Sequence, residues 1–289
     1  LEHDTHKDAW SIATGNYSSR FTSSTAVAAD LAAIKVRDKL ARIASQSLNT
    51  TPEELEFADG KIFSRDNPEN VLDFYRVAGS THWTPGNLPA GMEPGVRETG
   101  SWSPPEMEPP NDKDQINASL TYGFVFDYCG IEVDRDTGQV IIDKFVTTHD
   151  SGKLLNPMLA NGQIQGAFAW AVGCALYEEF AYAEDGAFLS GTFADYLVPT
   201  SWEVPEPVIL HMETPSLVTP LGAKGIGEGN CMSTPVCIAN AVCDALGVEN
   251  VTLPLSPSKM SAMIHGDEPP PPTGKLAEAP ADTKAADHV

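Results

Sequence analysis

Over residues 24–46 the apolar positions recur at helical spacing, with Ala, Leu and Lys throughout, and this pattern predicts a long helix. Thr51-Pro52-Glu53-Glu54 follows as a capped helical turn with Pro just inside, and residues 55–64 carry an Asp59-Gly60 hairpin signal. From 121 to 133 the period changes to two on β-rich sequence. Asp134 to Gly138 supplies a turn, and 139–149 returns as a second strand. Residues 158–180 are again helical in spacing, with small residues at 166, 167, 169, 171 and 173 that suit close packing. A strand at 206–213 precedes a glycine-rich stretch, then a helix at 234–246 for which Gly247 is a natural C-cap. The segment 80–115 is crowded with Pro, Gly, Trp and Asn and is too long for a plain connector, so it is either functional or covers a partner. No internal repeat is evident.

Composition narrows what such a chain does. At 289 residues it can bury a sizeable core. Forty acidic against 18 basic residues give a net charge of −22, which repels phosphate backbones and anionic membranes, so nucleic acid is excluded as a partner class. No run of 18 apolar residues and no secretory signal is present, and a cytoplasmic protein without membrane insertion is expected. The first residue is Leu, which suggests a processed or partial chain, or one piece of a larger polypeptide. The five cysteines, at 129, 174, 231, 237 and 243, form neither a Cys-x-x-Cys pair nor a clustered ligand set, so they are expected reduced and structural, with no iron–sulfur cluster on this chain. No protein metal ligands are predicted; His3 and His6 sit at a terminus expected to be unstructured. Beyond Gly266 the Pro- and Ala-rich run to 289 cannot bury enough apolar surface and is expected to be a disordered tail.

The chemistry concentrates between Gly222 and Asn230. Glycines at 222, 225, 227 and 229 permit positive φ and close backbone approach, and the helix behind them offers N–H groups to an anion. Glu228 is therefore the first candidate for catalysis, against the plain alternative of a solvated turn. A dinucleotide turn is rejected because the Gly-x-Gly-x-x-Gly spacing is missing.

Four segments, taken in order, resemble the C-terminal part of the large subunit of molybdenum hydroxylases, the family of xanthine dehydrogenase, aldehyde oxidoreductase and aerobic carbon monoxide dehydrogenase. They are Gly15-Asn-Tyr-Ser-Ser-Arg-Phe-Thr22; Asp150 to Pro157 with Asn161-Gly-Gln-Ile-Gln-Gly-Ala-Phe168; Asp195-Tyr-Leu-Val-Pro199; and Gly222 to Gly229. The resemblance spans about residues 10–262. It implies an α+β fold, mixed sheets with packed helices, as the C-terminal portion of a molybdopterin-binding domain over 1–265, with a division into two lobes near 115–150 as a variant.

The resemblance further implies a molybdenum–pterin cofactor in its cytosine dinucleotide form and insertion of a water-derived oxygen into a substrate C–H bond, with Glu228 as the base. Cofactor contacts carry over to Ser19, Arg20, Phe21, Thr22, Ser23, Gly162, Gln163, Lys224, Gly225, Ile226 and Gly227. Several of these have ordinary alternatives: helix capping for Ser19, Thr22 and Ser23, solvent exposure for Lys224, and a helix-surface amide for Gln163. Phe21, Trp83 and Trp102 either line a substrate funnel or pack beneath a loop. The implied partners are a second molybdopterin-binding subunit or an upstream half of the same chain, a 2Fe–2S subunit and an FAD subunit. The implied substrate is an N-heteroaromatic compound or an aldehyde. A carbon monoxide dehydrogenase-type subunit and a noncatalytic scaffold that kept the fold are the alternatives.

Overall fold

The computed structural model describes residues 17–116 and 121–266; His3, His6 and the expected tail beyond Gly266 lie outside them. The chain divides into two compact units, one of residues 1–120 with 217–221, the other of 121–216 with 222–289.

In the first unit a π-helical turn, Phe21–Thr25, leads into α1 (Ala26–Leu48). The long helix expected over 24–46 is present. Its inner face, Leu40, Ile43, Ala44 and Leu48, is buried with Leu55, Ile62 and Val77. Thr51 and Glu54 complete a reciprocal capping box around a short 3₁₀ turn. The expected hairpin follows as β1 (Leu55–Ala58) and β2 (Lys61–Ser64), with Asp59 and Gly60 both at positive φ, 49° and 71°. A third strand and a helix were not legible in the pattern: β3 (Asn67–Asp73) pairs with β2, and α2 (Phe74–Trp83) starts where the Asp73 carboxylate accepts the N–H groups of Tyr75 and Arg76. Thus α2 occupies the beginning of the segment expected to be irregular from residue 80. Of its two tryptophans, Trp83 stands in solvent at the end of α2 and Trp102 is half-buried.

The second unit is a mixed three-stranded sheet backed by helices. β4 (Phe124–Val133) and β5 (Val140–Asp150) form the expected hairpin, in antiparallel register from Phe124↔Asp150 to Val133↔Val140 with a shift at Gly130/Ile131. The chain then crosses through α3 (Pro157–Leu176) and returns as β6 (Val208–Met212), parallel to β5, as a helical crossover allows. α3 begins at an Asn156 cap and stops at Leu176, four residues before the expected end. α4 (Gly229–Leu246) packs beside α3 and ends at Gly247 in the left-handed conformation. It starts five residues before the expected 234 and holds Pro235 in its interior. α5 (Pro257–His265) was also unforeseen.

One apolar core holds this unit together: Val140, Ile142 and Phe145 from the sheet, Phe168, Val172 and Leu176 from α3, Ile238 and Val242 from α4, with Leu255 and Met260. Phe145 and Phe168 stack with centroids 4.4 Å apart. Cys129 and Cys237 pack against that core, and all five cysteines are free thiols. Among the described residues, no helix is long and apolar enough to cross a membrane.

Candidate functional site

The loop Gly222–Glu228 is held at its first residues by the end of β5. Gly222 O accepts the N–H groups of Lys153 at 3.0 Å and Ser216 at 2.9 Å, and Lys224 N donates to Ser151 O at 2.8 Å. Gly222 is the single glycine of the four at positive φ, 72°. Gly225, Gly227 and Gly229 do not use the positive φ that their sequence allowed them. A Cβ on Gly229 would come within 2.6 Å of Val125 Cγ2 and 3.0 Å of His149 Cε1, so that glycine lets the first turn of α4 lie against the sheet.

The Lys224 ammonium is not in solvent. It lies 3.4 Å from Asp150 Oδ1 and over the Phe124 ring at 5.9 Å. Burial pushes the Asp150 carboxyl up, but hydrogen bonds from Thr214 and Gly152 and the Lys224 charge outweigh it and hold the group at about 2. Lys224 therefore has its counter-ion within the protein.

Glu228 occupies the N-cap position of α4, where its carbonyl accepts Cys231 N–H at 3.2 Å. Its side chain is exposed, makes no capping hydrogen bond, and has no hydrogen bond or ion pair with any described residue. The backbone N–H groups of Gly225, Ile226 and Glu228 likewise find no acceptor among the described residues. An uncommitted carboxylate beside three free donors at a helix start suits an anionic, oxygen-rich ligand with a proton to give up.

A buried polar cluster that the sequence did not disclose stands directly behind this loop. Asn230, the second residue of α4, is fully buried. Its Nδ2 donates to Asp127 Oδ1 at 3.2 Å and Thr147 Oγ1 at 3.0 Å, and its Oδ1 meets His149 Nε2 at 2.9 Å. The Asp127 carboxylate also accepts from Thr147 Oγ1 at 2.7 Å, Ser233 Oγ at 2.6 Å and Thr234 Oγ1 at 2.8 Å. A flipped amide would set Oδ1 against the carboxylate, so the orientation is forced and His149 bears its proton on Nε2. Burial holds the His149 pKa down, against the Asn230 hydrogen bond and the Asp127 charge, which raise it. The available signal was Asp127 itself, an acid at an inward position of an alternating strand.

The other expected contacts are placed as follows. Gly162 and Gln163 lie exposed on the early turns of α3, and Gln163 makes no hydrogen bond to a described residue; neighbouring Asn161 binds His211 Nε2 at 2.7 Å. Ser19, Arg20, Phe21, Thr22 and Ser23 belong to the first unit and are described within it. Arg20 stacks over Tyr17 at 5.5 Å, and Ser23 Oγ donates to Arg20 O at 3.4 Å. The N-cap positions of the π turn and of α1 are Arg20 and Thr25, and neither has a side-chain cap hydrogen bond. No group of three or more His, Cys, Asp or Glu that could hold a metal ion occurs among the described residues.

Compared with known proteins, residues 1–205 match the molybdopterin cofactor-binding domain model. The chain is 32% identical to the nicotine 6-hydroxylase large subunit of Paenarthrobacter nicotinovorans, over 81% of its own length and 28% of that protein. It is 31% identical to the carbon monoxide dehydrogenase large chain of Afipia carboxidovorans, over 82% of its length and 27% of that chain. Among solved structures it superposes on Cu,Mo-CO dehydrogenase with a TM-score of 0.74 at 28% identity, covering 90% of this chain and 31% of that one. Quinoline 2-oxidoreductase from Pseudomonas putida gives 0.67 at 29% identity, covering 82% and 29%. The chain thus spans under a third of the length of the relatives it matches.

Proposed function

The chain belongs to the molybdopterin cofactor-binding family of molybdenum hydroxylase large subunits, and on that premise we propose that it supplies the general base, Glu228, for hydroxylation of a substrate C–H bond. The observation that carries this reading is the uncommitted Glu228 carboxylate on a loop pinned on both sides. A bound molybdenum cofactor would supply Lewis acidity and a two-electron sink. The chain's own work is to hold that group and move a proton. Gly225, Ile226 and Glu228 present backbone N–H groups to its anionic oxygens, with Gly227 keeping the turn slim, and Gly162 and Gln163 add an exposed amide. Ser19 to Ser23 is a second contact segment in the first unit. A Glu228 carboxylate oxygen accepts the proton of a water-derived nucleophile as it attacks carbon, which is worth about 10²–10⁴ in rate.

An N-heteroaromatic ring or an aldehyde is the proposed substrate, and the likeness to the nicotine 6-hydroxylase subunit supports the former. Electrons pass to 2Fe–2S and FAD subunits, the pterin is the cytosine dinucleotide, and a second molybdopterin-binding polypeptide or segment completes the pocket. A carbon monoxide-oxidising subunit is the second reading, favoured by the TM-score of 0.74 to Cu,Mo-CO dehydrogenase.

The test begins with the complex purified through this chain, assayed for molybdenum, iron, flavin and released pterin nucleotide. One molybdenum per chain, and a Glu228→Gln variant that keeps its metal but loses at least about 10²-fold in kcat, are expected. Full turnover in that variant sinks the base assignment. Screening N-heteroaromatics, aldehydes and carbon monoxide then separates the two substrate readings.

A further inference from the structure

We propose that Asn230, locked by Asp127 and His149, is the positioning residue for Glu228, fixing where α4 begins and so where the carboxylate stands. The inference rests on the reading of Glu228 as the base.

The loop reaches Glu228 from one anchor and leaves it into another. Lys224 is tied to Ser151 and Asp150 behind β5, and two residues after Glu228 the fully buried Asn230 is tied to both β4 and β5. Five residues, Gly225 to Gly229, bridge these points. Outside the helix's own ladder, the backbone near Glu228 is joined by Gly229 N to Ile226 O at 3.3 Å and Cys231 N to Glu228 O at 3.2 Å, both long. The contacts that fix this turn are those of Asn230, Ser233 and Thr234 to Asp127, which are charge-assisted and part-buried. Ser233 and Thr234 hold the next turn of the helix, and Ser233 Oγ also donates to Gly229 O at 3.3 Å, whereas Asn230, two residues from Glu228 along the chain, is the nearest residue after it whose side chain is tied to both β4 and β5. Its amide is suited to this task because it must donate to a carboxylate and accept from the His149 Nε2–H at once, which no hydroxyl or carboxylate of that size does in this orientation.

Displacing a reacting carboxylate by about 1 Å costs on the order of 10²-fold in rate. The Asn230→Ala variant of the full complex is therefore expected to keep its molybdenum and pterin content and a KM within about twofold of wild type, while kcat falls about 10²-fold. Hydrogen exchange should quicken at the amides of residues 225–231 and remain unchanged in α3. Combined with Glu228→Gln, Asn230→Ala should cost nothing further, since a positioning residue has no effect once its client is gone. Thr147→Val, which removes one donor to Asp127 without changing shape, serves where Asn230→Ala does not fold; a smaller kcat loss is expected, with Thr147→Ser restoring it.

Loss of molybdenum in step with activity would overturn the proposal in favour of a role in assembly. So would unchanged kcat, or losses that multiply in the double variant. If instead Glu228→Gln alone retains turnover, the base assignment is what fails; an active Asn230→Ala beside an inactive Glu228→Gln leaves the base standing and removes only the positioning role.

Discussion

Lys224 Nζ lies 3.4 Å from Asp150 Oδ1, with 11% of each side chain exposed, and this pair fastens the glycine loop to the last residue of β5. Its carboxylate is held at about 2, below the ordinary 3.8. A depressed carboxyl pKa contributes stability that is complete above the unfolded value and disappears as pH falls through the folded one. Asp150 is thus expected to contribute about 1–2 kcal/mol, after allowance for screening, that is lost between about pH 4 and pH 2. Asp150→Asn should unfold at lower denaturant at neutral pH and lose the wild-type acid dependence in that window. Urea titrations at several pH values test both.

His149 titrates in the same direction at a higher pH. Its folded pKa is lowered by burial from 6.5, so the unfolded chain takes up a proton that the folded one refuses. Stability should fall as pH drops below about 6.5, and His149→Gln should flatten that slope. A slope that survives the substitution would assign it elsewhere.

Gly229→Ala places a methyl group against Val125 Cγ2, 2.6 Å away, and His149 Cε1. The neighbours are a β-strand side chain and a hydrogen-bonded ring, with little room to give. A cost of about 1–3 kcal/mol is expected from overpacking, despite the better helix propensity of Ala. Thermal unfolding measures it, and an unchanged or raised Tm contradicts the close packing of the α4 start.

Phe168 is fully buried and stacks on Phe145 across α3 and β5. Phe168→Ala is expected to lose about 3–5 kcal/mol, large enough to unfold a marginal protein. Phe168→Leu, which refills most of the volume, should recover most of that. Chemical denaturation of the two variants distinguishes packing from a general sensitivity of the helix.

Tyr196 donates its hydroxyl to the Glu178 carboxylate, and this bond, with burial and the acid's charge behind it, lifts the phenol to about 12. Spectrophotometric titration should show one tyrosine ionising near that value. It should disappear from the curve in Tyr196→Phe and fall toward about 10 in Glu178→Gln.

The elements that could be read from the chain were those whose pattern is local. α1 carries its apolar stripe within itself, the β4–β5 hairpin its alternation and its turn, and Gly247 its own stop signal. β3 and α2 were missed because Asn67-Pro68-Glu69-Asn70 reads as loop until β2 pairs with it, and Phe74–Trp83 is too short and mixed to show a period. The α4 start lies before the expected residue 234 because Asn230, fully buried against β4 and β5, and Gly229, close against Val125 and His149, draw the helix back to residue 229.

By itself the sequence determined the fold class and the family, through four ordered motifs, and it singled out Glu228 as the candidate base, since glycine spacing around an acid is a property of neighbours along the chain. Only the tertiary structure decided that Lys224 is paired with Asp150, that Gly229 is a packing glycine and that Asn230 binds Asp127 and His149. Those partners lie 74 to 103 residues away in sequence. Which polar groups meet across such a distance is set by strand register and helix docking, and residue spacing carries no record of either.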